Sequence, residues 1–169
     1  MWGSTEPDTD KPCDWETTPF NDGHKTFNED YFESIKNKVC QNGILASEYD
    51  AATIILGNDW WLPTADDFRE LIDNTKHEWV ENYQGSKING MIFTSKNSNN
   101  NGAELFIPGA GYRNGSSLID RGSYVDLWSS SLDTNHSWCA SGLHFNNSSC
   151  DMRNIIRCYG FCLRGVKEK

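Results

Sequence analysis

Residues 105–166 contain no lysine, glutamate or glutamine, although residues 1–104 hold seven lysines, nine glutamates and two glutamines. A domain that spread such residues evenly would place roughly eleven of them in that window. Arginine occurs there five times, so charge as such is not excluded. Long charged side chains are depleted in strands, and the window predicts a β-rich C-terminal third. Candidate strands lie at residues 91–94, 104–107, 127–130, 138–145 and 155–166.

The first half has a different texture. Residues 1–27 form a polar, irregular lead-in with Pro7, Pro12 and Pro19, anchored by Trp2, Trp15, Phe20 and Phe27. Asn28 is placed to cap a helix, with Glu29 and Asp30 in its first turn. Tyr31, Phe32, Ile35 and Val39 follow at helical spacing, and Gly43 ends the run. Ser47 caps a short turn or helix that reaches Ala52. Thr64 and Asp67 form a capping box with aspartate in place of glutamate. It opens a second helix whose apolar face is Phe68, Leu71 and Ile72 and which ends at Asn74. Residues 95–102 read as a loop. Helices first and strands later predict an α+β fold with two helices and small antiparallel sheets, in one domain over residues 1–169.

The net charge of −9, with no run or stripe of basic residues, argues against nucleic-acid binding and against docking on an anionic membrane. No apolar run approaches the ~20 residues that span a bilayer, so direct membrane insertion is not expected. Met1-Trp2-Gly3-Ser4 lacks the charged and apolar regions of a signal peptide. The six cysteines include no C-x-x-C pair. Cys158 and Cys162 would share a face if they lay on a strand. At this length the core does not require disulfides, and free thiols are expected.

The motifs come in a definite order: WGSTEP at 2–7, EYDAAT at 48–53, WWLPTADDFRELIDN at 60–74 and FTSKN at 93–97. LFIPGAGYRNG at 105–115, LWSSSL at 127–132, LHF at 143–145 and YGFCLRGV at 159–166 complete it. The set resembles the Fibrobacter succinogenes major paralogous domain, a family of Bacteroidetes surface proteins. The resemblance implies a C-type-lectin-like fold and a location outside the cell, at a cell surface or on a phage particle. Relatives of that family include the variable proteins of diversity-generating retroelements, in which adenine-directed mutagenesis rewrites codons near the C-terminus.

An AAC codon whose adenines become any base never encodes lysine, glutamate, glutamine, methionine or tryptophan. Rewritten AAC codons would therefore explain the depleted window and also its four cysteines. The display residues expected on this reading begin with Tyr124, Asp126, Asp133, His136, Ser137 and Cys139. They continue through Ser141, His144, Asn147, Ser149, Asp151 and Arg153 to Asn154, Ile155, Ile156, Cys158 and Tyr159. Trp138, Leu143, Phe145, Met152, Arg157 and Gly160 would be scaffold between them. Such a mixture joins adaptable hydrogen bonding to aromatic contact, as paratopes do. The expected role is binding a protein or glycan on a cell surface, without catalysis and with neither cofactor nor metal. A fixed adhesin or pilus-associated domain of the same family is the alternative.

Other constellations are weaker. Glu6-Pro7-Asp8 and Asn58-Asp59-Trp60 sit in the wrong places for a calcium–sugar site of the lectin type. His136 and His144 near Asp126, Asp133 and Asp151 match no standard metal spacing. A formylglycine-generating oxidase would need a copper-binding cysteine pair, for which Cys158 and Cys162 are the only near neighbours. Trp61 and Trp128 are expected in the core, with Leu143 and Phe145 at least partly buried.

Overall fold

A computed structural model describes residues 1–6, 10–100 and 102–168. Pro7 and Asp8 of the Glu6-Pro7-Asp8 stretch and Asn101 of the Asn-rich loop lie outside them.

Helix α1 (Glu29–Val39) starts where the Asn28 side chain accepts from the Tyr31 N–H. Glu29 and Asp30 lie at its positive end and Lys36 and Lys38 at its negative end. It buries Phe32 and Val39. The chain then turns through Asn42 and Gly43, both at positive φ, between strands β1 (Cys40–Gln41) and β2 (Ile44–Leu45). Two positive-φ residues give the turn that matches strand twist. Helix α2 (Ala51–Leu56) is capped by Asp50, which accepts from the Ala52 and Thr53 N–H groups. Helix α3 (Ala65–Asn74) carries the full Thr64–Asp67 capping box.

The strands follow: β3 (Thr75–Val80), β4 (Gly90–Ser95), β5 (Glu104–Pro108), β6 (Tyr112–Asn114), β7 (Ser117–Ile119), β8 (Val125–Leu132), β9 (Cys139–Phe145) and β10 (Cys150–Ile156). They make a five-stranded sheet in the order β1-β2-β8-β9-β10, a three-stranded sheet β3-β4-β5 and the β6–β7 pair, and these strands pair antiparallel. The architecture is α+β, with three α-helices among the described residues where the sequence predicts two.

Residues paired across antiparallel strands share a face. One face of the large sheet holds Val125, Leu127, Leu143 and Phe145, which pack with Phe68 of α3 and with Met91, Phe93 and Ile107 of the second sheet. The other face holds Trp128, Ala140 and Leu132, which pack with Phe32 and Val39 of α1 and with Trp2. We call these the α3 face and the α1 face.

Polar bonds join the sequence motifs. The Asp50 carboxylate, itself buried, also accepts from the Leu62 N–H at 2.8 Å and so fixes the 48–53 stretch to the 60–74 stretch. Trp2 Nε1–H donates to the Ser129 carbonyl at 2.9 Å. The Ala65 N–H donates to Ser131 Oγ, and the Ser130 N–H to the Pro63 carbonyl. The Trp128 N–H donates to the Cys162 carbonyl and the Cys162 N–H to the Asp126 carbonyl, so the 159–166 segment runs beside β8 in a short parallel bridge. Gly142 is needed there, because a Cβ would lie 2.9 Å from the Leu127 carbonyl oxygen.

Several expectations are corrected. The last strand is Cys150–Ile156, not residues 155–166, because Asn146 Oδ1 accepts from the Ser148 and Ser149 N–H groups and turns the chain early. Trp61 is only half-buried: its backbone bridges Val166, while Leu62 takes the interior position. Trp138, assigned to the scaffold, is 38 % exposed against Phe27 and His136. Cys158 is buried and Cys162 exposed, off any strand, so they do not form a pair on one face.

All six cysteines are thiols. Burial pushes the Cys40 and Cys158 thiols up to about 11, which holds them protonated and unreactive at neutral pH. Burial raises the Cys162 thiol as well, but Cys162 is the exposed one, so in the native protein iodoacetamide should label it before the buried Cys40, Cys139 or Cys158, as mass spectrometry would show. Equal labelling of all four would contradict this packing.

Candidate ligand-binding surface

The seventeen predicted display residues do not converge on one patch. Register places Asp126, His144, Asp151, Arg153 and Ile155 on the α1 face, and Cys139, Ser141, Asn154 and Ile156 on the α3 face. Asp126, Asp133, Ser137, Cys139, Ser141, His144 and Cys158 are buried. Each of these side chains is therefore closed to a ligand in this conformation, which corrects their assignment as free display positions. Ser149 is half-buried, its N–H bonded to Asn146 in the turn. Ile155 and Tyr159 pack against the Trp128 core, and Tyr124 lies partly covered beside His144.

The buried polar members have specific partners. His144 Nδ1 lies 2.7 Å from Asp126 Oδ1, and both side chains are more than nine-tenths buried. An Nδ1–H donated to the carboxylate fixes the imidazole tautomer and leaves Nε2, which has no partner among the described residues. The Tyr124 ring stands 5.3 Å from the imidazole. Burial raises the Asp126 carboxyl above its ordinary 3.8, while the hydrogen bond and charge of His144 oppose that rise. At the other end of the sheet Asp133 accepts from the Asn135 N–H at 3.0 Å and pairs with His136 Nδ1 at 3.2 Å. The Ser137 carbonyl accepts from Arg157 Nε–H at 2.8 Å.

A pH dependence follows from Asp126. Its folded pKa lies above its unfolded value, so the native state holds the extra proton in the interval between them. The associated stability is present below the unfolded value and is lost as pH rises through the raised one. Urea melts across the acid range should show wild type losing stability relative to Asp126→Asn over that interval. Parallel curves for the two proteins would contradict the assignment.

Six of the seventeen positions are exposed: His136, Asn147, Asp151, Arg153, Asn154 and Ile156. Four lie on β10, the outermost strand of the large sheet, and the other two lie in the turns before β9 and between β9 and β10. Arg153 Nε–H donates to Asp151 at 3.0 Å across the exposed edge. Asp151 and Arg153 lie on the α1 face of the hairpin and Asn154 and Ile156 on its α3 face, with His136 and Asn147 in the turns at its two ends.

A cleft of about 500 Å³ opens beside the hairpin on the α3 face. It gathers Asp133, Ser141 and Asn154 with Asn42, Thr64, Arg69 and Ser131. Asn42, Thr64 and Arg69 were not predicted, because they come from the helical half and only tertiary packing brings them to the sheet, and Ser131 was not, although it lies on β8 itself. Among the described residues no group of three or more His, Cys, Asp or Glu side chains is arranged to hold a metal ion, and no helix is long and apolar enough to cross a membrane. Comparison with protein-family models, characterised proteins and solved structures finds no match to this chain.

Proposed function

We propose that this chain is a non-enzymatic ligand-binding domain of C-type-lectin-like type that acts outside the cell and binds through the border of its β9–β10 hairpin. The observation that carries this reading is the division of the C-terminal residues. Those facing inward are committed to packing or to specific hydrogen bonds, while the exposed ones belong to the outermost strand β10, on both of its faces, and to the turns at either end of the hairpin. A rigid hairpin with an outward-facing edge can change side chains without moving backbone, which a display surface requires.

The absence of lysine, glutamate and glutamine from residues 105–166 favours a version in which this edge is diversified by a retroelement. On that version, variation is confined to His136, Asn147, Asp151, Arg153, Asn154 and Ile156. Sequencing the flanking DNA tests it: a near-copy of the 3′ end of the gene should adjoin a reverse transcriptase, with mismatches at adenines of those six codons. The Asp126–His144 pair favours the fixed-adhesin version, because random change at either position would strand its buried partner. Mismatches absent from the flanking DNA would select that second version.

A further inference from the structure

The second sheet ends in a strand whose outer side no other described strand covers: β5 pairs only with β4. The Ser95 N–H donates to the Ala103 carbonyl, and the Gly109 N–H to the Asn89 carbonyl. In this register the two bonds set the alternation, and residues 103, 105, 107 and 109 turn their backbone groups toward β4. Glu104 and Phe106 therefore turn N–H and C=O outward, and no backbone partner meets them among the described residues. A row of this kind is a template for one more strand.

A groove of about 450 Å³ opens between this strand and α3. Leu105 and Ile107 form one wall, and Phe68 and Leu71 of α3 form the other. Phe106 lies on the opposite face of β5, stacked on Tyr83 at 3.9 Å between ring centroids. Acidic groups dominate the rim: Asp67, Glu70 and Glu104, all exposed, stand against Arg164.

These features select the occupant. An extended polypeptide repeats N–H and C=O groups at strand spacing, so it can satisfy the edge with main-chain hydrogen bonds. Its side chains would alternate. One set would lie over the groove beside Leu105 and Ile107 and so be apolar, and the other would lie on the Glu104 side. The three carboxylates favour basic residues in that second set. A second copy of this chain fits poorly, because it would bring the same carboxylates together in a molecule of net charge −9. Pro108 has no N–H to offer and ends the edge, so the seat is short.

We infer that the open edge of β5 and the groove beside α3 bind an extended peptide of alternating apolar and basic residues as an added strand. This surface shares no residue with the β9–β10 hairpin, and the inference does not rest on the reading of that hairpin.

Amide NMR on the intact chain tests it with two synthetic peptides, KVKLKVK and RIRFRIR, each acetylated and amidated at its ends. At about 1 mM peptide, the Glu104 and Phe106 amides should shift, and their exchange with solvent should slow about tenfold or more. KKVVLKK has the composition of the first peptide without its alternation, and EVELEVE keeps the alternation with opposite charge. Both should bind about tenfold more weakly. Two N-methylated forms of KVKLKVK, one modified at the lysine nitrogens and one at the valine and leucine nitrogens, keep every side chain. Only the form whose methyl groups face β5 should lose about tenfold in affinity. Glu70→Lys combined with Glu104→Lys, both at exposed positions, should weaken KVKLKVK about tenfold, whereas Asp151→Ala on the hairpin should leave it unchanged.

Unmoved Glu104 and Phe106 amides with both peptides would overturn the inference. So would equal binding of KKVVLKK, which would reduce the effect to charge, or equal binding of the two methylated forms, which would exclude an added strand. Loss of binding in Asp151→Ala would move the peptide to the hairpin. A dimer in sedimentation equilibrium with both amides already protected would give the edge to a second copy instead.

Discussion

Trp128→Ala is expected to cost about 3–5 kcal/mol of stability, which for a chain of this size lowers Tm by roughly 10 °C. The indole is fully buried on the α1 face. It stacks on Phe161 at 4.2 Å between ring centroids and donates from Nε1–H to the Tyr159 carbonyl at 3.3 Å. It therefore joins the large sheet to the C-terminal segment that runs beside β8. Truncation removes the ring, empties the space against Phe32 and Leu62, and leaves the Tyr159 carbonyl without this donor. Trp128→Phe should recover part of the loss, because it restores stacking without the hydrogen bond. An unshifted urea midpoint for the alanine variant would contradict this packing.

Arg157→Ala should cost a similar amount, for a different reason. The guanidinium is fully buried, and no carboxylate pairs with it among the described residues. Phe32 lies 4.1 Å from it, Phe27 5.3 Å, Trp2 5.6 Å and Trp15 5.9 Å, so four rings surround the cation. Burial lowers its pKa to about 10, which leaves it charged at neutral pH. Nη1 and Nη2 have no hydrogen-bond acceptor among the described residues, and the rings are what surrounds them. Nε–H holds the Ser137 carbonyl and the Arg157 carbonyl holds the Trp2 N–H, so one residue ties the lead-in, α1 and the hairpin together. Alanine should remove about 3–5 kcal/mol. Arg157→Met fills the volume without the charge and should still lose about 2 kcal/mol, the value of a desolvated cation–π contact. A methionine variant as stable as wild type in urea would show that the cation contributes nothing beyond its bulk.

Interior elements were legible in the sequence and most edge elements were not, the outer strand β5, read at residues 104–107, being the exception. Asn28, Thr64 and Asp67 marked their helix starts because capping needs a particular side chain at a particular place. β4, β8 and β9 could be read because at least one face of each packs on a core and their residues are apolar or small. β3, with Lys76, His77 and Glu78, and β10, with Asp151, Arg153 and Asn154, are outer strands exposed to solvent. Their polar composition hides their strand character, although charge on an edge is also what discourages edge-to-edge pairing. The β6–β7 pair is short and partly exposed, and only its Asn114-Gly115 turn carries a hairpin signal. α2 was readable only as a short turn or helix reaching Ala52, because one buried aspartate and two buried alanines make up its inner side.

The same physics limited the reading of the site. On the proposed reading the depleted window points to a binding surface in the C-terminal third, but composition does not separate inward from outward residues. Asp126 and His144 look like adaptable surface residues in the sequence, and pairing across β8 and β9 turns them into one buried unit. The cleft residues Asn42, Arg69 and Ser131 carry no local signal, since their proximity to Asn154 exists only in the folded chain.

The central claim is a fixed interior with a permissive hairpin border. Its most direct test is a Tm scan of single substitutions at His136, Asn147, Asp151, Arg153, Asn154 and Ile156, set beside the same scan at Asp126, Ser137, Cys139, Ser141 and His144. The account predicts border shifts of no more than about 2 °C, as for exposed sites. At the buried positions, changes in size or polarity should lower Tm by roughly 5 °C or more. Equal sensitivity in the two sets would contradict the division on which the binding surface rests.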